Sequence, residues 1–187
     1  TIVEYRGDMF DEAKRGLRKN LHVLDAFGTD FFSFNCRPKL ADGRANPFAN
    51  PAVRRAFTLA VDKATIVNNI TRMDETVATT FIPPDSIPGY QTPAGLAFDP
   101  IKARAELADA GWKDRDNDGV VENESGEKFP TVEIMYSAGS PRYRDMAGAL
   151  SAMWRETLHV QSAPRSKDPL GYKDALKQGD FMIARGG

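Results

Sequence analysis

Four times in this chain a helix-capping side chain stands directly before a proline: Asn50-Pro51, Asp99-Pro100, Ser140-Pro141 and Asp168-Pro169. The Asn, Asp or Ser oxygen accepts from an orphan amide of a first helical turn, and the proline presets φ where no amide partner is needed. Each pair fixes where a helix begins, so the fold must place four such starts. The periodicity behind them sets the lengths. Over residues 51–70, Val53, Phe57, Ala60, Val61, Ala64 and Val67 recur at helical spacing, and Ala56, Leu59, Ile66 and Ile70 widen the stripe, leaving Arg54, Arg55 and Lys63 for water. A second helix is expected over 100–110, with Ile101, Ala105 and Ala108 on its buried side, Gly111 as its stop and Trp112 folding back. A third is expected over 141–158, burying Met146, Ala147, Leu150, Met153, Trp154 and Leu158; a fourth over 169–178 ends at Gly179; another is expected near 8–20.

Strand-like runs lie between them at 22–27, 29–36, 131–136, 160–163 and 181–184. Strands alternating with helices predict an α/β architecture, a sheet flanked by helices. The Pro- and Gly-rich stretch 80–98 reads as an ordered crossing loop, with Phe81, Ile82, Ile87, Tyr90 and Leu96 available for burial. The chain has 187 residues, 41% hydrophobic and 27% charged, which fits a globular domain and not a disordered one. No apolar run approaches the roughly 20 residues of a membrane span. Because 25 basic side chains stand against 26 acidic ones, the formal net charge is −1, which argues against a general nucleic-acid binder. The chain opens at Thr1 and closes at Arg185-Gly186-Gly187 directly after a strand-like run, so a processed or cut fragment is expected.

The candidate chemistry is sparse. The single cysteine, Cys36, excludes an intrachain disulfide and a Cys-based zinc site, and it is expected to be a small buried hydrophobe. His22 and His159 are far apart in sequence, and no nucleophile elbow, phosphate loop or dinucleotide fingerprint is present, so no enzyme is expected. The run Asp114-Arg115-Asp116-Asn117-Asp118-Gly119 matches the first half of a calcium loop, with Asp114, Asp116 and Asp118 as candidate ligands. The position that should carry a bidentate Glu holds Ser125, and Glu124 stands one place early. The same residues make good turns, so a solvated turn and a calcium site both stay open. A calcium-dependent interaction module is accordingly one rival reading.

The segment from Asn50 through Pro51, Ala52, Val53, Arg54, Arg55, Ala56, Phe57, Thr58, Leu59, Ala60, Val61 and Asp62 to Lys63 resembles the family-5 extracellular solute-binding proteins, the dipeptide and oligopeptide receptors of ABC importers. Phe34-Asn35, Pro47-Phe48, Ile82-Pro83-Pro84, Phe98-Asp99-Pro100 and Ala110-Gly111-Trp112 follow the family's order. Met153-Trp154 with Leu158 and Val160 fits its W-x-x-x-L-G-V pattern, with His159 in place of the glycine. The run from Gly179 to Arg185 fits its G-x-F-D-(V/I)-A strand, with Met182 in place of the aspartate.

The resemblance implies one lobe of a periplasmic-binding-protein type II fold over 1–187, with no catalytic role. It also implies a peptide or similar small solute held between two lobes, a membrane-embedded ABC permease as partner of the full-length protein, and a periplasmic or extracytoplasmic location with a lipid anchor as an option. It further implies that Arg185 meets a ligand carboxylate or braces the site, and that Lys177, Ser137, Tyr143, Phe31 and Ser33 are ligand-facing positions. The same lobe fused to a DNA-binding region, as the sensor of a transcription regulator, is the other rival reading.

Overall fold

A computed structural model describes residues 10–12, 15–16 and 27–187. Among these residues four strands, β1 (Phe31–Phe34), β2 (Val132–Ser137), β3 (Ser162–Lys167) and β4 (Ile183–Gly186), form one mixed sheet in the order β1-β4-β2-β3. The last three run parallel, and β1 closes the edge antiparallel to β4, with Phe32 opposite Arg185 and Phe34 opposite Ile183. The helices are α1 (Pro51–Leu59), α2 (Lys63–Thr65, continuing into a π turn over Ile66–Thr71), α3 (Pro100–Asp109), α4 (Pro141–Leu158) and α5 (Pro169–Gln178). Each of the four cap-proline pairs opens a helix, and at Asn50, Asp99 and Asp168 the side chain accepts from a first-turn amide. The strand expected at 22–27 lies outside the described residues apart from Phe27, as does most of the helix expected at 8–20, of which Phe10, Asp11 and Glu12 are helical. Among the described residues no helix is long and apolar enough to cross a membrane.

One face of the sheet packs on α1 and α4. Phe34, Phe48, Phe57, Phe129, Trp112 and Trp154 join there, with Phe48 and Phe57 edge to face at 4.9 Å and Trp154 against Phe57 at 5.1 Å. The buried Trp154 Nε1 donates to the Phe57 carbonyl at 2.9 Å, so the indole is apolar packing with its one donor satisfied. Met135 and Ala184 face the other way, onto Ala175, Tyr172 and Phe181 around α5.

Several expectations are corrected. The helix expected over 51–70 breaks at Ala60–Asp62, because Asp99 N–H takes the Leu59 carbonyl at 2.9 Å and Asp62 caps a new helix through Thr65. On α3 the buried residues are Ala103 and Leu107, while Ile101 is 75% exposed. The helix is rotated from the expected stripe so that Ala103 packs in the core and Glu106 meets Arg55 at 2.9 Å. The loop over 80–98 leaves Phe81, Ile87 and Leu96 exposed rather than buried; Thr29 Oγ1 donating to Phe81 O and Thr79 Oγ1 to Pro93 O tie it down instead. Cys36 is exposed as well. Asn35 turns the chain at the end of β1, donating through Nδ2 to the carbonyls of Gly179 and Phe181 and accepting from Arg37 N–H, so its own side chain occupies the buried place.

Candidate functional site

The parallel strands β2, β3 and β4 all end on one edge of the sheet, at Ser137, Lys167 and Gly186. In open α/β sheets the carboxyl edge is where ligands bind, because the loops leaving it are free to vary while the strands hold them in place. A charged network sits there. Asp30, just before antiparallel β1, accepts from Arg142 Nε at 3.0 Å and Nη2 at 2.7 Å, and it also pairs with Arg185. Arg142, in the first turn of α4, reaches on to Glu75 at 2.5 Å. The four side chains balance two acids against two bases. They are only 16–30% exposed, so the pairs are less screened than surface ion pairs.

Arg185 is held on a second side. Its guanidinium lies over the Tyr143 ring, 3.7 Å from the centroid, and Tyr172 Oη donates to its backbone carbonyl. Burial, reinforced by the neighbouring Tyr143, pushes the Tyr172 phenol above its ordinary value, which keeps it a proton donor at neutral pH. These contacts and the pair with Asp30 hold Arg185 at the carboxyl edge. Phe31 closes the corner: its ring covers Gly186, where an added Cβ would run into the ring, and it meets Phe81 edge to face at 4.8 Å.

Arg185, Tyr143, Phe31 and Ser137 are thus gathered on this edge. Ser33 is exposed in mid-strand opposite Ala184, on the same face of β1 as Phe31. Lys177 is exposed in the last turn of α5, beside the Gln178–Gly179 turn that Arg37 and Asn35 hold, at the other end of β4 from Arg185. The structure does not bring Lys177 to the network. No sequence signal marks Asp30, Arg142 or Glu75. Their pairings span 112 residues for Asp30 with Arg142 and 155 for Asp30 with Arg185, and no local pattern announces contacts at that separation. A cleft of about 410 Å³ between the α1–α2 joint, α3 and α4, lined by Asp62, Arg104 and Glu156 among others, contains none of these residues.

The calcium-loop candidates divide. Asp114 and Asp116 stay together and are joined by Glu122, while the Asp118 carboxylate is taken by Lys128 and by Val120 N–H.

Residues 4–187 match the family model of the bacterial extracellular solute-binding proteins, family 5 middle. The chain belongs to that family. Family-5 members are solute-binding proteins, not enzymes, and they act outside the cytoplasm. Among relatives, the chain is 27% identical over 150 residues to the dipeptide-binding protein DppE of Bacillus subtilis, covering 75% of this chain and 24% of that protein. It is 25% identical over 185 residues to the oligopeptide-binding protein OppA of the same organism, covering 97% and 31%. The solved structure of NikA from Brucella suis in complex with Fe(III)-EDTA superposes with a TM-score of 0.80 at 20% identity, over 97% of this chain and 34% of that one, a likeness of fold. The chain therefore spans about a quarter to about a third of the length of these proteins.

Proposed function

We propose that the chain is one lobe of the substrate-binding component of an ABC importer for peptides or similar small solutes, with the ligand held between this lobe and a second one. The observation that carries this reading is the family match over residues 4–187, joined to relatives named for dipeptide and oligopeptide binding of which the chain is a fraction. The carboxyl edge supports it physically. A peptide needs backbone partners and a rigid wall more than dedicated side-chain pockets. Arg185, Tyr143, Phe31 and Ser137 supply such a wall, held by Asp30 and Arg142. Phe81, Ile87, Leu96 and Phe98, exposed on one loop, give the second lobe apolar surface to cover. On this reading the full-length protein works outside the cytoplasm, with a lipid anchor where one is present, and delivers its ligand to a membrane-embedded permease.

A lobe that provides half of the contacts cannot trap a ligand by closure. Isothermal titration of this chain with a mixed peptide pool is expected to show no micromolar binding, and micromolar binding would contradict the two-lobe reading. Mass spectrometry of ligand released from the full-length protein is expected to find peptides. Release of a single non-peptide solute would overturn the substrate class and leave the architecture standing.

A further inference from the structure

Between α3 and β2 the chain makes a tight loop whose acidic residues converge. Ligand oxygens of Asp114, Asp116 and Glu122 all lie within 4.8 Å of one another. Asn117 at φ 59 and Gly119 at φ 83 take left-handed backbone that folds the loop around them. Asp114 Oδ2 accepts from Gly119 N–H at 3.1 Å and Asp116 Oδ1 from Asp118 N–H at 3.2 Å, which leaves each with a second oxygen.

The independent observation is Glu122. It is 6% exposed, and its Oε1 accepts from Arg115 N–H at 2.5 Å. Its Oε2 is buried and has no hydrogen-bond partner among the described residues, and the same holds for Asp114 Oδ1. A buried carboxylate oxygen without a partner is costly, and three like charges this close repel one another. The basic side chains of the loop relieve this only in part: the Lys128 charge reaches Asp116 and Glu122, but none of them donates to the two partnerless oxygens. Arg115 Nη1 donates to the backbone carbonyls of Lys113 and Glu122, and Lys128 pairs with Asp118.

We infer that Asp114, Asp116 and Glu122 bind a calcium ion, which fixes this loop against the core. Hard carboxylate oxygens without nitrogen or sulfur select a hard cation, and an irregular loop suits calcium, which tolerates variable geometry, better than magnesium, which demands an octahedron. Glu122 stands eight residues after Asp114, so the buried acid comes earlier than the bidentate glutamate of a helix–loop–helix site, and the missing Glu at position 125 is no obstacle. The ion would brace a segment that pairs Lys113 with Glu122 and Glu122 with Lys128, and that joins Val121 N–H to the His159 carbonyl at the end of α4. The inference goes beyond solute binding and stands whichever ligand the protein carries.

The test uses this chain after chelation. Calcium is expected to bind with Kd of about 10⁻⁴–10⁻³ M, in the range of extracellular modules. At ten times Kd it should raise Tm by about 3–6 °C. Terbium should bind competitively with calcium and show luminescence sensitised by Trp112, two residues from Asp114. Glu122→Gln and Asp116→Asn should each weaken calcium at least tenfold. Asp116 is exposed, so the second variant keeps the test decisive if the first fails to fold. Asp118→Asn should stay within threefold of the parent. No response at 10 mM calcium, equal affinity for magnesium, or a loss in Asp118→Asn matching that in Glu122→Gln would each overturn the assignment.

Discussion

The Arg185 guanidinium lies over the Tyr143 ring, 3.7 Å from its centroid, while the same group pairs with Asp30. The stack joins β4 to α4 and the pair joins β4 to the segment before β1, so one side chain holds three pieces of the carboxyl edge together. A charge kept this way is spent on the wall itself, and a ligand carboxylate would have to compete with Asp30 for it.

A double-mutant cycle measures that bracing. Arg185→Ala should lower stability by about 1–3 kcal/mol, through loss of a charge-assisted bond and a cation–π contact. Asp30→Ala should be destabilising too, and the coupling between the two should fall at about 0.5–3 kcal/mol. Arg185→Lys should recover only part, because an ammonium cannot stack and pair as a planar fork does. Urea unfolding reads all three, and additivity of the two alanine variants would refute the bracing role.

Asn35 ties the end of β1 to the turn before β4. Its amide donates to Gly179 O at 3.0 Å and Phe181 O at 2.8 Å, and its own carbonyl receives Asn46 Nδ2 at 2.7 Å. Asn35→Ala should cost about 2–4 kcal/mol, since two carbonyls lose their donor in a buried place. Asn35→Asp should be worse than alanine at neutral pH, because it sets a carboxylate against those same carbonyls. If aspartate proved milder in denaturant unfolding, the amide orientation would be wrong.

These relationships explain what the sequence could and could not disclose. The cap-proline pairs are local, so all four helix starts were legible, and α4 and α5 have the extents expected of them. The early end of α1 was not legible, because the Leu59 carbonyl is claimed by Asp99, forty residues away. The rotation of α3 is not legible for a related reason: small Ala103 is buried in the core only once the helix packs, while periodicity alone favours the bulkier Ile101. At the carboxyl edge, Arg185 and Tyr143 were found through a family resemblance, while Asp30, Arg142 and Glu75 exist as a group only once the sheet has formed. In the acidic loop the pattern drew attention to Asp118, but Lys128 takes it, and Glu122 holds the buried place.

The cap of α5 makes stability depend on pH in a definite direction. Asp168 accepts from Gly171 and Leu170 N–H, and these bonds, Gly171's foremost, hold its carboxyl below the ordinary 3.8. A depressed folded value means a stabilisation fully present above 3.8 and lost as pH falls through the lower folded value. Asp168→Ala should therefore melt below the parent at pH 7, and the gap should narrow once pH drops under 3.8, whereas Asp168→Asn should keep a pH-independent part of the cap. A gap that is constant from pH 7 to pH 2.5 would rule the charge out.

The end of α4 holds a residue in left-handed backbone. His159 is its C-cap with φ 57 and ψ 33, left-handed backbone that strains a side chain with a Cβ. The family pattern has glycine at this place, and here the backbone shows why it would. His159 is exposed, so its ring adds little packing to set against the strain. Its carbonyl accepts from Val121 N–H, a bond that any residue can provide. His159→Gly removes the strain but gives the unfolded chain more freedom, and the two effects oppose each other. The expected net gain is about 0.5–1 kcal/mol, read as a rise in Tm of about 1–4 °C. His159→Asn, which tolerates this region, should be near neutral, and β-branched His159→Val should be destabilising. Melting curves of the three variants should rank Gly above Asn above Val, and a valine variant as stable as the glycine one would show that the turn does not hold left-handed backbone.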